Sequence, residues 1–595
     1  MESDRRLEDC HFHAEKLALS LCFKGPTLPL NISNLLDQLD ELKTRFGARA
    51  QQRIPHILAR ISRLAITDAD TLVRLHEILL FLCAYPRDAA VRKLAEAALK
   101  GFAERVNALR EAGADLSSLE HPELSGIDGS PVTDTFSYYV VRWLVNARRQ
   151  RDRVALAWDW FEDENRLAES WPRFMPLLEE DAAVEANVPY RQWLRAASGG
   201  AERDLTWLIN QFELLPGPEK KKAELYNAQK LYVRWNPDYR STRTGMRLRV
   251  GQHFYHREPL IRRRDVSLTR ELETPPPGLK QLSARDGAAI LDLTRAASTV
   301  RYRELYGFTH GDAERVLQAQ LGRGVDVFIM GVPPERRLPL RAYHAAMIFK
   351  NGVPVGYFEG ISLFERMESG FNLYYTFRDG ETAWLYARIL SIFHHLLGVT
   401  AFSIDPYQIG FENEEGIESG AFWFYRKLGF RPTNPEVLKL VLNEEKKLAT
   451  RSGYRTSLAT LRKLSRGPMI FEHEITSADS RPGDWDRFQL RNLGLAVQRR
   501  MAGSNKGDAR SFRTKAVTRL TQLLKAEWRK TELPVVNDFA VALSLVADLS
   551  EWSEVEKRAL LRVMRAKATQ EESSYLQLMQ KHSRLRSTII KLGSQ

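Results

Sequence analysis

The sequence predicts an α+β protein in which a central mixed sheet, with helices on both faces, is carried between helical N-terminal and C-terminal segments. Three observations predict it. Apolar residues recur at three- and four-residue spacing before residue 235, strand signals follow one another from about 325 to 377, and a basic helical stretch follows residue 440. At 595 residues the chain exceeds what one hydrophobic core organises, so several units are expected: 1–235 helical, 236–277 a linker, 278–440 the sheet, and 441–595 a basic helical region.

The first of these reads as amphipathic helices, in LLDQLDELKTRF, RIPHILARISRLAI and DTLVRLHEILLFLCAY, followed after Pro86 by a further pair that closes at Gly113. Stacked helical hairpins of the HEAT or TPR kind are expected, although no fixed repeat period is visible. From Thr135 to Trp235 the pattern stays helical and becomes rich in tryptophan, which fits core packing. Between Asn236 and Pro277 the alternation of MRLRVGQHFYH, an Arg-rich run and ELETPPPG suggest a linker with two strands.

Composition excludes several classes. A 44% hydrophobic, 27% charged chain is ordinary for a globular protein, and no apolar run approaches the ~20 residues of a membrane span. The N-terminus, MESDRRLEDCHFH, lacks a signal or transit character, so a cytoplasmic location is expected. Three cysteines suit a reducing compartment, and Cys10, His11 and His13 lack the second ligand pair of a closed zinc site, so no metal is expected. The formal charge is +13, and residues from Leu440 onward hold 29 Lys/Arg against 17 Asp/Glu. A second basic stretch, Arg240 to Arg270, includes the triplet Arg262, Arg263 and Arg264. Both should attract anions. No P-loop, Rossmann fingerprint or paired CxxC is present.

Within 278–435 the elements read in order. LKQLSARD is a short strand, and AAILDLTRAASTVRYRELYG and GDAERVLQAQLGRG are two helices. VDVFIMGV, LRAYHAAMIFK, VPVGYFEGISLF and FNLYYTF then form an antiparallel meander with an Asn351-Gly352 hairpin turn. A helix (AWLYARILSIFHHLLG), a strand (TAFSID), a helix (SGAFWFYRKLG) and a strand entered at Phe430-Arg431 complete the order. With Ala421, Tyr425, Lys427, Gly429 and Phe430 spaced as Ala-x-x-x-Tyr-x-Lys-x-Gly-Phe, this segment resembles the GNAT (GCN5-related) N-acyltransferase superfamily. The resemblance covers about a quarter of the chain.

That resemblance implies an acyltransferase using acetyl-CoA or a longer acyl-CoA, with the pyrophosphate on the N-terminus of the helix after the fourth strand. A helix start offers unpaired backbone N–H groups to an anion. The family loop, Arg/Gln-x-x-Gly-x-Gly/Ala, aligns with Arg378-Asp379-Gly380-Glu381-Thr382-Ala383, so Phe377, Arg378, Gly380, Thr382 and Ala383 are the expected cofactor-binding residues. Glu381 stands where the family has glycine, and an acid facing the loop would repel pyrophosphate. The family also has Asn three residues before the Ala; here Glu418 stands there, with Asn413 five residues earlier. The acids Glu412, Glu414, Glu415 and Glu418 suit either a helix start or selection of a cationic amine.

Acylation of an amine by a thioester needs a base, a polarised carbonyl and a proton for the leaving thiolate. Glu359 and Asp405, from the third and fifth strands, are the candidate bases, with His344 behind them. Backbone N–H groups at a bulge within Asn372–Phe377 would polarise the carbonyl. Tyr425 would reprotonate the thiolate, a role taken from the resemblance. The expected partners are a small-molecule or peptide amine and an acidic donor such as acyl carrier protein docked on the basic flanks. A second reading is a nucleic-acid-associated or scaffold protein with a degenerate, non-catalytic domain.

Overall fold

The computed structural model describes residues 31–161, 164–174, 188–473, 481–503, 508–569 and 571–595. Cys10, His11 and His13 lie outside the described residues. The architecture is mixed α and β, built on one large sheet.

A small antiparallel sheet comes first, with β1 (Val132–Asp134) and β2 (Val154–Leu156) on either side of β3 (Val233–Trp235). It sits inside the stretch whose spacing predicts helices alone. The large sheet comprises β4 (Lys280–Gln281), β5 (Val316–Gly322), β6 (Val325–Met330), β7 (Ala342–Lys350), β8 (Val353–Leu363), β9 (Arg366–Leu373), β10 (Ala401–Ile404), β11 (Arg431–Pro432) and β12 (Met469–Glu472). Its order is β11-β12-β10-β9-β8-β7-β6-β5-β4. Neighbours are antiparallel throughout, except that β9 and β10 run parallel across the helix Thr382–Leu397.

Four sequence expectations change. VLQAQLG is strand β5, not helix: Val316, Ala319 and Leu321 are buried there, a spacing that also fits a helix, and the Gly322–Gly324 turn folds it onto β6. FNLYYTF is only the end of β9, which begins at Arg366, while Tyr375–Phe377 is a single 3-10 turn. The sheet does not stop at residue 440, because β12 inserts between β10 and β11. Among the described residues 236–277 contribute no strand, and they pack on the sheet as a strap: the N–H of Leu248 bonds the Gly352 carbonyl at 2.8 Å, and that of Ile261 bonds the Glu381 carboxylate at 3.2 Å.

The predicted hairpin turn joins β7 to β8, with φ of +48° at Asn351 and +80° at Gly352, the left-handed pair a type I′ turn requires. Helices lie on both faces of the sheet, and strand alternation decides which residues meet them. Phe358 and Phe371 face Thr382–Leu397, with ring centroids 5.0 Å from Phe393 and 5.1 Å from Tyr386. That helix is apolar nearly all round, and its burial follows, with Leu268–Glu273 and Glu572–Gln580 against its outer side. Tyr343, Tyr357 and Glu359 face the other way, where the Gly307 N–H bonds the Tyr343 hydroxyl at 3.0 Å.

Buried ion pairs join the flanks to the sheet. Arg586 meets Glu365, in the β8–β9 turn, at 3.0 Å, and Lys567 pairs with Glu572, whose carboxylate accepts the Tyr343 N–H at 3.1 Å. On the N-terminal side Arg243, fully buried, bonds both oxygens of Glu77 at 2.7 Å, and Thr376 donates to the same carboxylate. Burial opposes the Glu77 charge, but Arg243, His76 and Thr376 outweigh it and hold the carboxyl at about 2.

A carboxyl depressed in the folded state stabilises it above the ordinary value of 4.5, and that stabilisation is lost as pH falls towards 2. The loss expected from Glu77 is roughly 3 kcal/mol. Urea unfolding of Glu77→Gln should show a native state weaker by about 3–5 kcal/mol at pH 7, because Arg243 stays buried without its counterion, and a flatter acid dependence. An unchanged midpoint at pH 7 would contradict the pairing.

Candidate active site

The site begins with a strand that ends early. Asp405-Pro406 closes β10: the Asp405 carboxylate accepts the Tyr407 N–H at 2.9 Å, and Pro406 opens a short helical turn. β10 therefore pairs with β9 only from Ala401–Arg366 to Ser403–Glu368, while β9 runs on to Leu373. Among the described residues no strand lies against the β10 side of β9 from Gly370 onward. The Tyr374 N–H bonds the Val355 carbonyl on the β8 side at 3.0 Å, so by alternation the N–H groups of Phe371 and Leu373 point into the gap. The β8–β9 register is unbroken from Leu363–Arg366 to Gly356–Leu373. The splay, not a bulge, exposes these donors.

The loop after β9 lies at the mouth of this gap. Gly380 has no room for a side chain, since a Cβ there would come within 2.4 Å of the Tyr85 hydroxyl. Glu381 follows, and its carboxylate turns away from the cleft. It is fully buried, ion-paired to Arg323 and, at 3.2 Å, to the Lys350 ammonium, with the Ile261 N–H as a further donor. Burial alone would raise its pKa, but the two cations outweigh burial and hold it low. Burial pulls Lys350 down to about 8, with Glu381 limiting the fall. The repulsion expected of an acid at the glycine position is thus neutralised behind the loop. In front of it the helix Thr382–Leu397 starts, its ladder beginning with the Leu385 N–H on the Glu381 carbonyl. The N–H groups of Thr382, Ala383 and Trp384 precede that bond.

A cleft of about 1010 Å³ runs through the gap, from this helix start on one face of the sheet to Tyr357 and Glu359 on the other. Ala421, Phe424 and Tyr425 form one wall, and the strap from Pro259 to Arg263 and the segment Asp40–Arg45 contribute to the rim. Lys43 reaches across to Asp379 at 2.9 Å. Glu359 stands on the floor between the small cross-strand residues Ala345 and Gly370. Its carboxylate accepts the Tyr343 hydroxyl, and burial raises its pKa against that bond. Arg303 bonds the Tyr357 hydroxyl at 2.8 Å and pairs with Glu123. Tyr425 is almost fully buried among Tyr386, Phe424 and Phe430, and burial pushes its phenol upward, so it stays protonated at neutral pH.

The structure brings Tyr425, Glu359, Arg378, Gly380, Thr382 and Ala383 to one cleft. Two expected residues are elsewhere. Asp405 is exposed, spent on capping the turn, and is not among the residues lining the cleft; Phe377 is buried beneath the loop. His344 faces Phe393 at 6.0 Å, on the opposite side of the sheet from Glu359. Of the acids before the last helix only Glu415 lines the cleft, paired with Arg378; Glu414 pairs with Arg462 at 2.7 Å, and Asn413 caps the short helix Glu414–Glu418. Lys43, Tyr343 and Arg303 carry no motif that would single them out. Among the described residues no group of three or more His, Cys, Asp or Glu is placed to hold a metal, and no helix is long and apolar enough to cross a membrane. The chain matches no family model, no curated protein and no solved structure.

The Glu381 cluster makes a direct prediction. Glu381→Gln should cost about 3–5 kcal/mol in chemical denaturation, because Lys350 is left buried and unpaired, and Lys350→Met in the same chain should recover most of it. Additive losses in the double variant would mean that the two side chains do not act as a pair.

Proposed function

We propose that the chain is an acyl-CoA-dependent N-acyltransferase of the GNAT type, acting on a small-molecule or peptide amine. The observation that carries this reading is the cleft through the gap between β9 and β10, which joins an anion-receiving helix start on one face to a half-buried carboxylate on the other. The Ala421–Phe430 spacing and the parallel pair β9 and β10 joined by the helix Thr382–Leu397 support it. The scaffold reading leans on Glu381 at the glycine position, and a carboxylate buried against Lys350 and Arg323 removes that objection.

Bound acyl-CoA would supply an activated thioester. The loop Arg378–Ala383 and the first N–H groups of the following helix suit its pyrophosphate. The N–H groups of Phe371 and Leu373 suit its carbonyl, since fixed donors in a closed cleft cost no reorganisation when charge develops. A free amine titrates near ~8 as an α-amino group and near ~10.4 as a lysine, so it arrives largely protonated. Glu359, made more basic by burial, takes that proton. Tyr425, held protonated, returns one to the departing sulfur.

Full-length protein should bind acetyl-CoA by calorimetry, and an amine panel followed by thiol release should reveal turnover. Tyr425→Phe should lower kcat about a hundredfold or more with acetyl-CoA affinity retained. The acid limb of the kcat/KM profile should lie above the ordinary glutamate value of 4.5 and vanish in Glu359→Gln. Full turnover in Tyr425→Phe, or an acid limb that survives Glu359→Gln, would remove the residue from its role.

A further inference from the structure

The rim of the cleft comes from outside the sheet, and its charges are unequal in what they are doing. Six cations line the cleft: Lys43, Arg45, Arg262, Arg263, Arg303 and Arg378. Four of them are already paired with acids. Lys43 holds Asp40 and Asp379, Arg45 holds Glu41, Arg303 holds Glu123, and Arg378 holds Glu415. Among the described residues Arg262 and Arg263 have no side-chain contact with a carboxylate; one nitrogen of Arg263 donates to the Lys427 carbonyl at 3.1 Å. Asp265, in the same turn, accepts the backbone N–H of Arg262 at 3.1 Å and pairs with Arg264 at 3.7 Å, so neither of the two guanidiniums has a carboxylate of its own.

Their position is set by the strap on which they sit. Ile261 is pinned to Glu381, immediately behind the start of the helix Thr382–Leu397, and Arg263 is pinned to Lys427, at the end of the helix Ala421–Arg426. The strap thus links the start of the helix Thr382–Leu397 to the end of the helix Ala421–Arg426, on the side of the cleft where the loop Arg378–Ala383 lies. A ligand whose thioester reaches the β9 gap and whose pyrophosphate meets the loop would extend its far end to these two guanidiniums. Coenzyme A carries a further phosphate at that end, on the ribose. A pantetheine arm on a carrier protein carries none.

Resting on the acyltransferase reading, we propose that Arg262 and Arg263 form a terminal-phosphate subsite that selects free acyl-CoA over a carrier-bound pantetheine donor. Arginine suits the role, because its planar fork meets phosphate with paired, charge-assisted hydrogen bonds. The subsite recognises a phosphate monoester beside a nucleotide, and the residues that build it precede the segment carrying the sheet.

The test uses the full chain and three probes: acetyl-CoA, its 3′-dephospho analogue and S-acetyl-4′-phosphopantetheine, titrated by calorimetry. Acetyl-CoA should bind at least about tenfold more tightly than the dephospho analogue. In the double variant Arg262→Ala/Arg263→Ala that ratio should fall to near one, with dephospho-acetyl-CoA affinity unchanged. Arg262→Ala alone keeps the Arg263 contact to Lys427 and should lose part of the ratio, which guards against a folding defect in the double variant. Equal binding of acetyl-CoA and its dephospho analogue by the native protein overturns the subsite and leaves the acyltransferase reading standing, as does a ratio that survives both substitutions. Absence of binding by all three probes overturns the acyltransferase reading and the subsite with it.

Discussion

The buried contact of Glu381 with Lys350 and Arg323 is the constraint on which the cleft depends. A carboxylate at this position can face the cleft or turn behind the loop, and the two cations settle the choice. Lys350 ends β7 and Arg323 sits in the β5–β6 turn, so the loop after β9 is tied to two other hairpins of the same sheet. Tyr85 closes the arrangement from the N-terminal helices, its ring 4.7 Å from the Lys350 ammonium and its hydroxyl filling the space a side chain at Gly380 would need. Burying Glu381 and Lys350, with Arg323 half-buried beside them, is costly, and a well-packed apolar cluster would do as well for stability alone. What the ion pairs add is direction: they hold one face of the loop away from solvent and leave the other, with the helix start, facing the cleft.

This arrangement explains why the flanks cannot be treated as attachments. The N-terminal helices supply Tyr85, Glu77 and the rim around Lys43, the strap supplies Ile261 and its neighbouring arginines, and the C-terminal region supplies both β12 and the clamp of Arg586 on Glu365. Each contact falls on a turn or an edge of the large sheet, where backbone groups or charges would otherwise lack partners.

Much of this was legible in the sequence, and the losses have physical causes. The Asn351-Gly352 turn and the long apolar helix at Thr382–Leu397 were readable because each depends on local chemistry: left-handed backbone angles in one case, a continuous apolar surface in the other. β5 was not, since VLQAQL satisfies both helical and strand spacing until its partner strand is known. β12 was hidden because four residues inside a basic helical stretch carry no signal that they will cross back to the sheet. Glu359 was named from its strand position and Tyr425 from the resemblance, whereas Asp405 resembled a strand-end base and instead caps a turn. The orientation of Glu381 was unreadable, because Lys350 and Arg323 lie 31 and 58 residues away.

Hydrogen exchange of the full-length protein with and without acetyl-CoA is the most direct test. Exchange should slow at the amides of Phe371, Leu373 and Thr382 to Trp384, the two sets of donors on either side of the gap. Protection confined to other surfaces, or none at concentrations that saturate binding, would contradict their role as donors.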